Sequence, residues 1–204
     1  MNERAGVLLF GGSFNPVHHG HLIVCREVAE RLNVRAAILI PSRTPPHKER
    51  VGLAPIEDRL EMCRLATYDD PMLTVSDYEA RQSGPNFTLL TVQAFQRELK
   101  ERLYWLIGTD SLAELHTWYH VGELADACTL VTAARAGYVE DTAHLRDTLR
   151  PEQIEHIRAH ILPSPRIDIS ATGIRQRIEA GQSVRWLTPR AVEAYVRERG
   201  LYSA

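Results

Sequence analysis

The chain has 204 residues, of which 24 are Lys or Arg and 26 are Asp or Glu, so its formal net charge is −2. This length is sufficient for a hydrophobic core within one domain. The lack of a basic excess argues against a nucleic-acid-binding protein, because such proteins usually concentrate positive charge.

Cysteine spacing and apolar runs exclude several further classes. Cys25, Cys63 and Cys128 lie far apart and form no CxxC pair, which indicates neither a zinc ribbon nor a disulfide framework. The apolar stretch that ends at Gly11 is too short for a signal peptide, and no uninterrupted apolar run could cross a bilayer. We therefore expect a cytoplasmic protein without a membrane segment.

Short apolar runs alternate with helical patterns from the start of the chain. Residues 6–10 predict a first strand, which two glycines follow directly. Apolar residues at helical spacing predict a helix over 21–32. Residues 36–40 form the continuous apolar run expected of a parallel strand buried on both faces. A Pro-rich loop over 41–55 is long enough to suggest a functional segment.

The same alternation continues to the end of the chain. The patterns predict a helix from 55, a strand over 73–76, a helix over 88–99, strands over 103–107 and 127–132, a helical stretch over 141–160, and short strands over 161–162 and 167–169. Two helices close the chain. One opens at Ser170 and stops at Gly181, and the other opens at Thr188 and stops at Gly200. Each is predicted to have a hydroxyl N-cap and a glycine just past its end.

This order of elements predicts an α/β fold, a Rossmann-like doubly wound parallel sheet with a small C-terminal helical subdomain. We expect one domain over 1–204, with residues 1–168 as the Rossmann-like core and 169–204 as the C-terminal helices. Ligands of such sheets bind at the carboxyl ends of the strands. The functional site is therefore expected at that edge.

The first candidate site follows the first strand and reads GGSFNPVHHGHL over residues 11–22. Gly11 and Gly12 allow the backbone to approach a ligand closely, so that N–H groups can face an anion. His18 and His21 are three residues apart at the start of a helix, and both imidazoles can point to one side. The segment thus suits polyphosphate oxygens and the charge that develops on a departing pyrophosphate.

The second candidate site reads ISATGIR over residues 169–175. Ser170 is placed as an N-cap, and Thr172 and Arg175 could contact the β- and γ-phosphates of a nucleotide. A zinc site built from the histidines of the first segment is not expected, because no thiolate or carboxylate lies nearby. A Walker A sequence is absent, so the chain is not a P-loop enzyme.

The two segments carry a family resemblance. GGSFNPVHHGHL resembles the (H/T)xGH nucleotidyltransferase signature, and ISATGIR resembles its partner signature ISSTxIR. Between them lie PSRTPPHK over 41–48, LIGTDSL over 106–112 and a Trp-Tyr pair at 118–119. In this order, over nearly the whole chain, the combination resembles the bacterial nicotinate-nucleotide adenylyltransferase family. The resemblance implies transfer of AMP from ATP to nicotinate mononucleotide, with Mg²⁺ accompanying the ATP.

The resemblance also assigns roles to individual residues. His18 and His21 would stabilise the transition state. The ATP site would be lined by Gly11, Gly12, Ser13, Phe14, Gly108, Asp110, Ser170, Thr172 and Arg175. The acceptor site would be formed by Lys48, Thr88, Trp118, Tyr119 and Arg135. In that site Trp118 would stack on the pyridine ring, and the backbones of Thr88 and Tyr119 would hold its carboxylate.

Three positions depart from the family's usual pattern. Asn15 stands where Asp is usual, Ala171 stands where Ser is common, and the turn over 135–137 lacks the usual Pro. Because the motif histidines, Thr172 and Arg175 are all present, we interpret these departures as sequence drift without loss of activity.

Three alternatives stay open at the level of the sequence. A related adenylyltransferase could act on the amide nucleotide NMN or on phosphopantetheine, although the phosphopantetheine enzymes are shorter and lack the PPHK loop. A non-catalytic nucleotide sensor would be expected to have lost a motif histidine or Arg175. Residue types alone do not set the selectivity between acid and amide. No pattern predicts the oligomeric state, and closure of the 41–55 loop over substrate is a hypothesis.

Overall fold

The computed structural model describes residues 5–43, 52–134 and 141–203. The strands in these ranges are Val7–Gly12 (β1), Ala36–Pro41 (β2), Leu73–Val75 (β3), Leu103–Gly108 (β4), Thr129–Ala134 (β5) and Ile161–Pro163 (β6). They form a six-stranded sheet in the order β3-β2-β1-β4-β5-β6, and every neighbouring pair is parallel. The predicted Rossmann-like α/β fold is confirmed.

Helices connect the strands and cover both faces of the sheet. Their bounds are His19–Arg31 (α1), Ile56–Thr67 (α2), Tyr78–Arg81 (α3), Thr88–Leu99 (α4), Thr109–Ala113 (α5), Val121–Ala127 (α6), Pro151–Ala159 (α7), Ala171–Glu179 (α8) and Arg190–Glu198 (α9). Single 3₁₀ turns lie at Leu115–Thr117 and Ala143–Leu145. Within the described ranges, no helix is long and apolar enough to cross a membrane.

The sheet lies between two hydrophobic cores. Val7 and Leu9 of β1 enter the core that contains α4, α6 and α7, whereas Leu8 enters the core that contains α1, α2 and α9. All three side chains are completely buried. A strand covered on both faces needs apolar residues at consecutive positions, which explains why the strands are continuous apolar runs rather than alternating ones.

Several predicted elements differ from the observed ones. Residues 167–169 are not a strand, because the apolar Ile167 and Ile169 line the ligand cleft described below rather than the sheet. The helical prediction over 141–160 was wrong before Pro151, where α7 begins. Helices α5 and α6 were not predicted, since elements of five and seven residues contain too few apolar repeats to show a period.

Of the two N-caps predicted for the closing helices, the one at Ser170 is confirmed and the one at Thr188 was wrong. The Ser170 Oγ accepts a hydrogen bond from the Gly173 N–H at 3.1 Å and caps α8 as expected. Thr188 does not cap α9, because Pro189 occupies the N-cap and the Thr188 hydroxyl donates to the Pro189 carbonyl. Gly181 lies just past the end of α8 as predicted, and it has a left-handed conformation with a φ of 66°.

The chain topology determines where a cleft can form. From β1 the connection crosses to β2 on one side, whereas β4 pairs with β1 on the other side. The connecting helices diverge at this switch point and leave a crevice beyond the carboxyl ends of β1 and β4. These ends are Gly12 and Gly108. A Cβ on the neighbouring Gly11 would lie 2.5 Å from the Trp105 ring, so the packing of β1 on β4 requires glycine there.

Candidate active site

Two adjoining cavities open at the switch point. The large lobe has a volume of about 690 Å³ and the small lobe about 480 Å³. They share a wall made of Phe10, Ser13, Leu106, Ile107, Gly108 and Asp110. The two lobes therefore form one cleft with room for two ligands that meet at the shared wall.

The small lobe brings the two sequence motifs together. His18 and His21 line it from the start of α1, and Ser170, Thr172 and Arg175 line it from the start of α8. These segments lie at opposite ends of the chain, and their approach depends on the sheet between them. The cavity thus collects imidazole, hydroxyl and guanidinium groups around the N-terminal ends of two helices, an environment that attracts anions.

The two motif histidines are held against each other. The His18 N–H donates a hydrogen bond to the His21 Nδ1 at 3.3 Å, and the two rings stack with their centroids 3.6 Å apart. An accepting Nδ1 places the proton of neutral His21 on Nε2. Gly20 makes the arrangement possible, because a Cβ there would lie 3.0 Å from the His18 Nδ1.

His18 is a neutral group in the free protein. Its side chain is 5% exposed, and burial, together with the neighbouring His19, lowers its pKa to about 4. Its Nδ1 is buried without a hydrogen-bond partner among the described residues. A neutral imidazole in this position can donate one hydrogen bond to a ligand without carrying a charge of its own.

Arg175 connects the two motifs. Its Nη1 donates to the Asn15 carbonyl at 2.8 Å and its Nη2 donates to the Thr172 Oγ1 at 3.3 Å. The first bond crosses from α8 to the loop after β1, so the guanidinium lies between the two anion-binding segments. Among the described residues no other acceptor is bonded to its fork, which therefore offers further N–H groups to a ligand with planar or tetrahedral oxygens.

The departure at Asn15 has a structural consequence. The Asn15 Oδ1 accepts hydrogen bonds from the Ala54 N–H at 3.0 Å and from the Tyr202 hydroxyl at 2.7 Å. Its Nδ2 donates to the Gly52 carbonyl at 2.8 Å. An aspartate has no donor for that carbonyl, so the asparagine is matched to its partners in this chain. The interpretation of this position as drift without loss of activity stays a prediction.

The large lobe is lined by aromatic and polar groups from helices, strands and the loops between them. Thr88 is the first residue of α4, so its N–H lies at a helix N-terminus. Trp118 packs partly against the core and also lines the lobe. Tyr119 stacks on Phe87 with ring centroids 4.4 Å apart. The lobe therefore offers a flat apolar surface beside backbone donors.

Comparisons with known proteins identify the family to which this site belongs. Residues 9–177 match the cytidylyltransferase-like family model. A probable nicotinate-nucleotide adenylyltransferase of Synechococcus sp. (strain JA-3-3Ab) is 39% identical over 204 residues, covering 99% of this chain and 96% of the relative. The corresponding protein of Dehalococcoides mccartyi (strain CBDB1) is 40% identical over 205 residues, covering 99% and 98%. The chain belongs to the nicotinate-nucleotide adenylyltransferase family.

A solved structure shares the fold of this family member. The Plasmodium falciparum nicotinic acid mononucleotide adenylyltransferase complexed with NaAD superposes with a TM-score of 0.76 at 13% identity. The superposition covers 98% of each chain. At this identity the likeness supports the architecture, and the roles of individual side chains rest on the geometry described above.

The structure places most of the predicted site residues of this adenylyltransferase on the cleft. Gly11, Gly12, Thr88, Trp118 and Tyr119 line the large lobe, His18, His21, Ser170, Thr172 and Arg175 line the small lobe, and Ser13, Gly108 and Asp110 line both. Phe14 lines neither, because its ring is buried and packs edge-on against His21. Lys48 and Arg135 lie outside the described residues, as does most of the 41–55 loop.

Two buried ionisable residues near the cleft were not predicted. Glu79 lines the large lobe at 4% exposure, and its Oε1 accepts a hydrogen bond from the Thr91 hydroxyl at 2.7 Å. Arg59 lies beneath the cleft at 1% exposure. A charged residue within an amphipathic helix normally indicates a solvent-facing position, so the sequence contains no signal for either side chain.

Glu79 makes the stability of this family member depend on pH. Burial raises its pKa from the usual 4.5 to about 7, so the folded protein keeps a proton that the unfolded chain releases. The contribution of this proton to the free energy of unfolding is fully present below about pH 4.5. It is lost as the pH rises through 7, and the loss is about 3 kcal/mol at most. We expect Glu79→Gln to remove this component. Denaturant unfolding at pH 5 and at pH 8 measures it.

A matched control isolates the effect of burial at Glu79. Glu114 lines the same lobe but is exposed, so Glu114→Gln should keep the wild-type difference in unfolding free energy between the two pH values. An equal pH dependence in Glu79→Gln and in the wild-type protein would show that Glu79 does not titrate in this range.

Proposed function

We propose that the chain transfers AMP from ATP to nicotinate mononucleotide, forming nicotinate adenine dinucleotide and pyrophosphate in NAD biosynthesis. The observation that carries the proposal is the meeting of the HxGH and ISATGIR segments in the small lobe, directly beside a larger lobe with an aromatic wall. The names of the relatives support nicotinate mononucleotide as the acceptor. The cytoplasmic location stays a prediction.

In this proposal the small lobe holds the triphosphate of ATP. His18, His21 and Arg175 face the cavity and can donate hydrogen bonds to phosphate oxygens. The acceptor's phosphate is already an anion, so attack on the α-phosphate of ATP requires no strong base. Positioning and neutralisation of charge can then supply most of the rate, which suits a small lobe whose described lining contains several donors and one carboxylate, that of Asp110.

The large lobe is proposed to hold the pyridine nucleotide. Trp118 offers a face for stacking on the pyridine ring, and the N-terminus of the 12-residue helix α4 at Thr88 offers N–H groups for its carboxylate. No Lys or Arg among the described residues lines this lobe. Recognition of the acid is therefore proposed to depend on backbone donors, and the two phosphate groups would meet at the shared wall.

Mg²⁺ is proposed to enter together with ATP. No group of three or more described side chains could form a metal cage, which fits an ion held mainly by phosphate oxygens and water. Asp110 is a carboxylate on the shared wall and would be the protein group available to such an ion or to its water. When bound, the ion would reduce the negative charge on the triphosphate and on the leaving pyrophosphate.

Pyrophosphate release tests the proposed function. The purified protein is assayed with ATP and Mg²⁺ against nicotinate mononucleotide, NMN and phosphopantetheine, with an acceptor-free blank and an EDTA-treated sample. We expect the highest kcat/KM with nicotinate mononucleotide and no turnover in EDTA. Faster turnover with either other acceptor would replace the proposed substrate. ATP binding without turnover on any acceptor would instead indicate a nucleotide sensor.

Trp118 is expected to control affinity for the acceptor. Stacking of a base on an aromatic ring contributes about 1–3 kcal/mol, so Trp118→Leu should raise the KM for nicotinate mononucleotide by about 5- to 150-fold. The KM for ATP should be unchanged, because Trp118 lines only the large lobe. Trp186→Leu is the control, since Trp186 is 78% exposed and outside the cleft. An unchanged acceptor KM would exclude stacking on Trp118.

A further inference from the structure

Arg59 is a buried cation on α2 that binds three separate loops. Its Nε donates to the Ala54 carbonyl at 2.9 Å, and its Nη1 donates to the Ser13 carbonyl at 2.8 Å and the Ser42 carbonyl at 2.7 Å. These carbonyls belong to the segment after β1, the segment after β2 and the segment before α2. Ser13 and Ser42 line the cleft, whereas Arg59 lies behind them and lines neither lobe.

The environment of Arg59 is unusual for a charged group. No described carboxylate forms an ion pair with it, and burial lowers its pKa. Burial of a cation against neutral carbonyls carries a large desolvation cost, and an apolar side chain would fill the same space without it. Packing alone therefore does not account for an arginine at this position.

The bonds made by Arg59 and Ser42 orient the backbone after β1. In a trans peptide the C=O and N–H groups point in opposite directions, and the Ser13–Phe14 peptide is trans. With the Ser13 carbonyl on Arg59, the Phe14 N–H points to the side opposite Arg59. The preceding Gly12 carbonyl is also turned inward, since it accepts from the Ser42 N–H at 2.9 Å and from its Oγ at 3.2 Å.

The conformation of Phe14 indicates that this backbone is held in place. Its φ of 44° lies in the left-handed region, which a residue with a Cβ rarely adopts unless its surroundings impose it. No described residue accepts a hydrogen bond from the Phe14 N–H.

We infer that Arg59 is a positioning residue for adenylyl transfer, which turns the carbonyls of Ser13 and Ser42 away from the substrate phosphates and keeps the N–H groups of the loop after β1 facing them. The inference rests on the proposed function. Donors that are already oriented act on the charge that develops in the transition state. The loss of Arg59 should therefore lower kcat more than it raises the KM for ATP.

Arg59→Lys and Arg59→Met test this role by steady-state kinetics and thermal unfolding. Lysine keeps the charge but has a single ammonium group, which cannot hold several carbonyls in the geometry of a guanidinium. We expect Arg59→Lys to stay folded with kcat about 10–100-fold lower and the KM for ATP changed less than about threefold. Arg64→Lys, on the solvent-facing side of α2, is the matched control and should keep the wild-type kcat.

Amide hydrogen exchange separates positioning from general destabilisation. In Arg59→Lys, exchange should accelerate over residues 11–17 and stay unchanged in helix α7, which lines neither lobe. A folded Arg59→Lys with wild-type kcat would overturn the inference, as would a lower kcat without faster exchange over 11–17. Failure of both variants to fold would make Arg59 purely structural and overturn it too. An inactive wild-type protein would instead overturn the proposed function, and this inference with it.

Discussion

Replacement of His18 by alanine is expected to lower kcat for pyrophosphate release by about 10²–10³-fold with little change in the KM for ATP. The imidazole is buried and stacked on His21, so the hydrogen bond that we propose it donates to a phosphate oxygen would be oriented before the substrate binds. An oriented donor contributes most where negative charge develops, which is the transition state of the transfer. Steady-state kinetics with saturating nicotinate mononucleotide measures the effect.

The neighbouring histidine supplies the control for His18. His19→Ala removes an imidazole that does not line either lobe and should retain activity close to that of the wild-type protein. Because the pKa of His18 is about 4, its protonation should produce no step in the wild-type kcat/KM between about pH 6 and pH 8. A His18→Ala protein with wild-type kcat would show that the imidazole does not act in the transfer.

Replacement of Arg175 by alanine is expected to lower kcat/KM for ATP about 100-fold. Removal of the guanidinium takes away the bond to the Asn15 carbonyl and would also remove the charge-assisted hydrogen bonds that we propose it makes to the triphosphate. Arg175→Lys should recover only part of the loss, because lysine keeps the charge without the planar fork. ATP titration calorimetry and steady-state kinetics together separate lost affinity from lost turnover.

Arg177 is the matched control for Arg175, since it lies on the same helix and bonds the Ser183 carbonyl outside the cleft. Arg177→Ala changes the net charge by the same amount and should keep the wild-type kcat/KM. An equal loss in both variants would mean that only the overall charge of α8 matters. Full recovery in Arg175→Lys would show that the guanidinium geometry is not used.

Much of the fold was predictable because local patterns reflect burial in a parallel sheet. Consecutive apolar residues such as Val7, Leu8 and Leu9 are required where both faces of a strand are covered, so β1 was visible in the sequence. The wrongly predicted strand over 167–169 lies where apolar residues line a cavity instead of packing into the sheet. Ile167 and Ile169 read as a strand but line the small lobe, and a residue pattern does not distinguish these two environments.

The candidate site was predictable to the extent that its residues lie in contiguous motifs. His18 and His21 occur within one segment, and Ser170, Thr172 and Arg175 within another, so each group could be recognised by its spacing. Residues that act singly from another element could not be recognised this way. Glu79 and Arg59 look like ordinary helical charges, and their burial follows from packing between segments that are distant in the chain.

The sequence by itself determined the alternation of strands and helices, the two candidate anion-binding motifs and the family resemblance, because each is carried by residues that lie close together in the chain. Only the tertiary structure decided that the motifs share one cavity, that Phe14 is turned into the core, and that Asn15 fits partners an aspartate could not satisfy. These properties depend on contacts between a side chain and backbone atoms that are distant in the chain. Such contacts produce no periodic pattern in the sequence.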